Sequence, residues 1–212
     1  MSDLADILGS DGGRVMTDTV LDIYKDGLDF FEEIVQAVPG GAWERPAPCD
    51  GWTALDVLGH VGETTRLGAR ILRGEAVGPD NFDPPSKAVD GDPAFWWVQQ
   101  ATSARETLAE GVDLDLEVES PMGRRTIRDG LAFPAADLYL HGWDLGTATG
   151  RPVTIPDGVI AFINGMFQYI PDEVARRPGV FGPAVQAPSD ATATDVLIAF
   201  TGRDPRWTGP AG

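Results

Sequence analysis

Cysteine and histidine are the scarce residues of this 212-residue chain, with one Cys at position 49 and two His at positions 60 and 141. A single thiol excludes an internal disulfide framework and any cysteine-rich zinc or iron–sulfur site within one chain, and it suits a reducing compartment. Basic residues are few as well. Sixteen Lys and Arg stand against 33 Asp and Glu, and the net charge of −17 repels phosphate backbones and anionic lipid. Nucleic acid and membrane surfaces are therefore excluded as expected partners, which leaves a small-molecule substrate. No apolar run approaches the ~20 residues of a membrane span. The opening MSDLADILGSDGG carries acids where a secretory leader needs a basic start, so a cytoplasmic location is expected.

What is present is globular: 42% apolar and 23% charged residues, with aromatics spread throughout. The 26 Gly and 17 Pro predict long connections. A flexible segment is expected over 1–16 and one helical domain over 17–212. Val20, Ile23, Phe30, Phe31, Ile34, Val35 and Val38 recur at helical spacing, predicting a helix over 17–38 that Pro39, Gly40 and Gly41 end. Thr53 with Asp56 three residues on reads as a capping box opening a second helix over 53–73. The Pro-, Gly- and Asp-rich stretch 74–92 reads as a long surface loop and as the candidate for a mobile lid.

Pro93 opens a third helix that ends near Gly111 and carries Phe95, Trp96, Val98, Ala101, Ala104 and Leu108. Trp96 and Trp97 are adjacent, so one of them is expected to leave the core and line a cavity or a subunit contact. A short hairpin is expected between 114–118 and 125–127 across a PMG turn. Pro134 is assigned to the first turn of a fourth helix running to Ala148, because a proline deeper in a helix costs it about 3 kcal/mol. A fifth helix follows Pro156, and a last one covers 190–201. The fold class is all-α, a helical bundle with a short hairpin and a short C-terminal extension.

Both histidines fall on predicted helices beside apolar positions. Asp137 lies four residues before His141, so the two side chains project from one face, one turn apart. Together with His60 from a second helix they offer the two-His, one-carboxylate set of an open zinc site or of a non-haem iron triad. Ordinary core histidines and a surface Asp–His pair explain the same spacing and remain open. Asp144 lies one turn beyond His141, as an acceptor for a ligand imidazole, as a base, or as a helix hydrogen bond. Glu63, with Thr64, lies one turn beyond His60, either facing the same cavity or on a solvated face. Cys49 stands just before a helix start, where a reactive thiol and simple packing are both open readings, packing being favoured. Arg124, Arg125 and Arg128 either dock an anionic substrate or balance local acids.

The strings PCDGWTALDVLGHV, DLYLHGWDLGTATGRP, FGPAV and AFTGRDPRW closely resemble actinobacterial metal-binding proteins of the DinB-like superfamily. Within it they are similar to the group related to the metal-binding domain of mycothiol-dependent maleylpyruvate isomerase, over about residues 17 to 207. The resemblance implies a DinB-like four-helix bundle holding a divalent metal, usually zinc, with iron or nickel as alternatives, through His60, Asp137 and His141. The family commonly has Glu where this chain has Asp137. The chain also lacks room for the full second domain of the isomerase. With one cysteine of its own, thiol chemistry needs an external thiol, and mycothiol is the implied cosubstrate for a transferase or isomerase acting on a small electrophile. A thiol-independent hydrolase or lyase, and a non-catalytic metal- or ligand-binding protein, are the alternatives. Monomer and homodimer are both open.

Overall fold

The computed structural model describes residues 11–75, 82–119, 123–168, 170, 172–176 and 181–209. The expected flexible start lies outside the described residues up to position 10, as do 76–81 of the long loop and the first two residues of the PMG turn. The remaining elements are α1 (Asp11–Gln36), α2 (Ala54–Leu72), α3 (Pro93–Ala109), β1 (Glu117–Val118), β2 (Arg125–Thr126), α4 (Ile127–Thr149), α5 (Asp157–Phe167), α6 (Asp172–Ala175) and α7 (Ala193–Phe200). β1 and β2 form the expected small antiparallel hairpin, with Glu117 opposite Thr126.

Helices α1 to α4 make the bundle, and named contacts set their directions. Gly68 meets Pro134 and Ile71 meets Gly130, so α2 and α4 run antiparallel. Gly62 meets Trp96, and Arg73 bonds Thr107, so α2 and α3 run parallel. Gly27 lies against Leu138 and Gly142 against Phe30 and Ile34, which makes α1 parallel to α4.

Two parallel neighbours cannot be joined by a tight turn. The chain leaving α2 must return its full length, about 28 Å at 1.5 Å per residue, before α3 can begin. That is the purpose of the Gly- and Pro-rich stretch, and the lid expected there is corrected in its described half. Within it, Pro85–Ala88 is strapped to α2. A 3-10 turn at Pro85–Ala88 lies so close that a Cβ on Gly59 would come within 2.2 Å of the Pro85 carbonyl oxygen. The Ser86 N–H donates to Asp56 Oδ1 at 3.1 Å.

The sequence placed α2 well: Thr53 and Asp56 form the full capping box. It placed α4 two turns too late. Pro134 lies inside the helix, which starts at Ile127 behind Thr126, whose hydroxyl accepts the Asp129 N–H. Ile127 and Leu131 are buried to 1% and 0% exposure, and that burial offsets the proline's lost hydrogen bond. The first helix begins at Asp11 rather than 17 and the last spans Ala193–Phe200 inside the expected 190–201. Gly150, with φ of +80°, ends α4 in the left-handed conformation.

The two tryptophans correct a second expectation, since both are in the core at 4% and 0% exposure, while Phe95 is turned out. Trp97 packs edge-on against Phe31 of α1, with ring centroids 4.6 Å apart. Trp96 slides under α2 where Gly62 leaves a gap: a Cβ there would come within 2.1 Å of the indole. Replacing Gly62→Ala is therefore expected to destabilise the fold by about 1–3 kcal/mol, the usual range for an overpacked core. Urea unfolding checks this, and Trp96→Leu in the same chain should recover part of the loss.

Candidate metal centre

The site sits where the antiparallel pair α2 and α4 is closest to the connector before α2. The connector is pinned through the N–H groups that a helix start leaves without partners. Ala54 and Leu55 donate to the carbonyls of Arg45 and Trp43, both at 2.9 Å, and Asp56 donates to the Thr53 hydroxyl. Gly51, with φ of +76°, turns the chain so that the Trp52 N–H reaches the Cys49 carbonyl at 3.0 Å. Cys49 and Trp52 are thereby held beside the histidines.

His60 on α2 and Asp137 and His141 on α4 come together, their donor atoms all within 4.8 Å of one another. His60 Nε2 is 3.6 Å from Asp137 Oδ2, and the two imidazole centroids are 4.7 Å apart. The side chains of His60 and Asp137 keep 30% and 26% of their exposure, so the trio opens to solvent on one side. Along the same seam Gly130 of α4 lies against Ile71 of α2, and Gly68 of α2 lies beside Pro134 and the Tyr24 ring of α1.

His141 has a second set of partners behind it. Its Nδ1 is 2.9 Å from Asp144 Oδ2, and Asp144 is fully buried. Arg203, in the segment after α7, grips that carboxylate from Nε to Oδ1 and from Nη2 to Oδ2, both at 2.8 Å. The Cys49 thiol donates to the same Oδ2 at 3.2 Å and lies 3.9 Å from His141 Nδ1. Arg203 Nη1 donates in addition to the Thr201 hydroxyl at 3.1 Å.

This arrangement fixes protonation states. Burial pushes the Asp144 carboxyl up, but the charge of Arg203 and the bond from His141 overcome it, and the group is held far below the usual carboxylate range. As an ion it accepts the His141 Nδ1–H and leaves Nε2 as the ring's lone-pair nitrogen. Burial pushes the His141 pKa down by more than Asp144 raises it, so the ring is neutral near pH 7. Burial also raises Asp137, yet the neighbouring His60 imidazole, with His141 and Arg203, holds it below its ordinary value. Burial and the neighbouring Asp144 push the Cys49 thiol well up, against the pull of Arg203, so the sulfur is a neutral donor and not a reactive thiolate.

The donor set fits a divalent ion: a neutral imidazole with its remote nitrogen anchored, a second imidazole, and an ionised carboxylate, in a cluster open on one side. The carboxylate behind His141 is the kind of outer partner that orients a ligating ring.

The other residues singled out from sequence are placed elsewhere. Glu63 is half-buried on α2 and is not among the residues whose donor atoms converge on His60. The Thr64 hydroxyl turns back to the Val61 carbonyl at 3.2 Å. Arg124 pairs with Glu117 and Glu119, and Arg128 with Asp115, at the hairpin end of α4 and away from the histidines. Sequence reasoning did not single out Arg203. It lies 59 residues from Asp144 with no periodic link to it, and the only signal was that the string AFTGRDPRW contains it.

Residues 24–146 match the family model of the mycothiol maleylpyruvate isomerase N-terminal domain. Two proteins of Mycobacterium tuberculosis strains, each named only as uncharacterized, are 26% identical to the chain over 180 residues, covering 84% of it and 94% of their own length. The crystal structure of an alanine variant of the mycothiol-dependent maleylpyruvate isomerase shares the fold, with a TM-score of 0.53 at 12% identity over 70% of this chain and 67% of that one. Among the described residues no helix is long and apolar enough to cross a membrane.

Arg203→Ala would leave the Asp144 carboxylate buried and unpaired. A loss of about 3–5 kcal/mol in unfolding free energy at pH 7 is expected, with Arg203→Lys recovering only part, because one ammonium cannot span both oxygens. A loss under about 1 kcal/mol, the value of an exposed ion pair, would contradict the clamp.

Proposed function

Because the chain belongs to the family of the mycothiol maleylpyruvate isomerase N-terminal domain, we propose that it holds a divalent metal through His60, Asp137 and His141 and carries out thiol-dependent isomerisation or S-transfer on a small electrophile. The observation that carries this reading is the convergence of those three donors from two helices, with the Asp137 carboxyl and the His141 imidazole both held below their ordinary pKa values. Zinc suits the two imidazoles and one carboxylate, and iron or nickel would be accepted by the same donors. When bound, such an ion supplies Lewis acidity and makes deprotonation of a sulfhydryl favourable near neutral pH.

The protein's own residues have defined tasks in this scheme. Asp144, clamped by Arg203, keeps the His141 proton on Nδ1 and the ring at a fixed angle. Trp52 packs against both histidine rings and closes one side of the trio. The thiol comes from outside, since Cys49 is engaged with Asp144, and mycothiol is the cosubstrate the family implies. Its thiolate adds to a conjugated double bond, forming a C–S bond and moving the electron pair onto the conjugated carbonyl. Rotation about the resulting single bond and return of the pair expel the thiolate and leave the other geometric isomer. If the displaced pair is instead protonated by solvent, the C–S bond is kept and the outcome is S-transfer.

A thiol-independent hydrolase or lyase would need a general base beside the ion. Asp144 is poorly suited to that task, because it is fully buried and every donor near it holds it ionised.

The test is metal analysis of protein purified without a tag or added metal. About one divalent ion per chain is expected, falling at least tenfold in folded His60→Ala and His141→Ala variants. Isomerisation of a cis-configured unsaturated keto acid should then require added thiol. Turnover without thiol would favour the hydrolase or lyase, bound metal without turnover would favour a binding protein, and a chain that takes up no metal on titration would overturn the proposal.

A further inference from the structure

His141 is oriented from behind by Asp144, at 2.9 Å from its Nδ1. No equivalent acceptor backs His60 among the described residues, and its polar neighbour, Asp137, is 3.6 Å from Nε2, longer than a hydrogen bond. An imidazole ligand without an outer partner is free to rotate, and that freedom weakens metal affinity. Trp52 supplies a different kind of restraint. Its ring centroid is 5.1 Å from that of His60 and 5.9 Å from that of His141, stacked at 28° on the latter. The two imidazoles are 4.7 Å apart and close to perpendicular, at 71°. Three rings from three elements, the connector, α2 and α4, are thus in mutual contact.

The indole is itself held from the backbone. The main-chain N–H of Trp52 donates to the Cys49 carbonyl at 3.0 Å, its main-chain carbonyl accepts the Ala47 N–H at 2.8 Å, and the next residue is the cap of α2. We infer that Trp52 is a positioning residue for the metal ligands: its ring, stacked on His141 and packed against His60 at a 50° tilt, restrains the rotamer of His60, taking the part that Asp144 takes for His141. This rests on the metal reading proposed above, and it explains why an aromatic residue stands directly before the helix cap, half-buried, with its ring turned to the histidines.

The test uses the whole chain, stripped of metal and titrated with cobalt(II) while the visible absorption is followed. Trp52→Leu, which keeps apolar bulk without a ring face, is expected to weaken cobalt binding by about tenfold to a hundredfold, the usual effect of losing an outer partner. Trp52→Phe is expected to bind within about threefold of the wild type, with thermal unfolding of the metal-free variants compared as the control for folding. With only two histidines, imidazole NMR of the metal-free protein gives a second reading. Nuclear Overhauser contacts from the Trp52 indole to both rings are expected in the wild type, and in the Leu variant averaged His60 signals beside an unchanged His141. A Leu variant that binds cobalt within twofold of the wild type, a Phe variant as weak as Leu, or a wild type without the indole contacts would each overturn the inference alone. A wild-type chain that binds no cobalt would remove the metal reading and this inference with it.

Discussion

Helices α2 and α4 meet along a seam with glycine at two levels, Gly130 against Ile71, and Gly68 beside Pro134 and, nearer still, the Tyr24 ring of α1. The antiparallel register that results carries His60 opposite Asp137 and His141 two turns further along. A wider seam would strand the Asp137 carboxylate short of His60, since an aspartate reaches one methylene less than a glutamate. Small residues at 68 and 130 and a short acid at 137 are therefore one solution to one spacing. On the other side of α2, α3 runs parallel to it, and with that direction comes the long crossover strapped over Gly59.

A second constraint arrives from the far end of the chain. Arg203 crosses to α4 and pairs with a carboxylate that no water reaches. Burying two ions in this way gains stability only when geometry and hydrogen bonding are nearly complete. Here both oxygens of Asp144 are engaged, and the Arg203 guanidinium also reaches Thr201 and Cys49. The pair ties the last segment to the bundle and at the same time sets the tautomer of His141. Fold stability and the state of the candidate ligand thus depend on the same contact.

The candidate ligands were legible because helical spacing is local: Asp137 and His141, four apart, must share a face wherever the helix goes. The α2 cap was legible for the same reason, since Thr53 and Asp56 answer each other within one turn. Arg203 was not, because its partner is 59 residues away and nothing in the intervening sequence sets that distance. The stretch 74–92 was read as a lid because Pro and Gly mark irregular backbone without saying what it rests on. Trp96 was misjudged because its place is made by a missing side chain at Gly62 on another helix. Pro134 was misplaced because its local cost is offset by the burial of Ile127 and Leu131 before it. In each miss a tertiary contact decided the outcome over a local preference.

The proposed function requires a metal ion among His60, Asp137 and His141, and the decisive measurement is anomalous diffraction from crystals of the untagged protein, collected on both sides of the absorption edge of the bound metal. One anomalous peak is expected about 2 Å from the imidazole nitrogens of His60 and His141 and from an Asp137 oxygen, the distance for zinc, with the Arg203 to Asp144 pair intact behind it. A peak beside Cys49 and Asp144 with Arg203 displaced, or metal-replete crystals with no peak between the histidines, would contradict it.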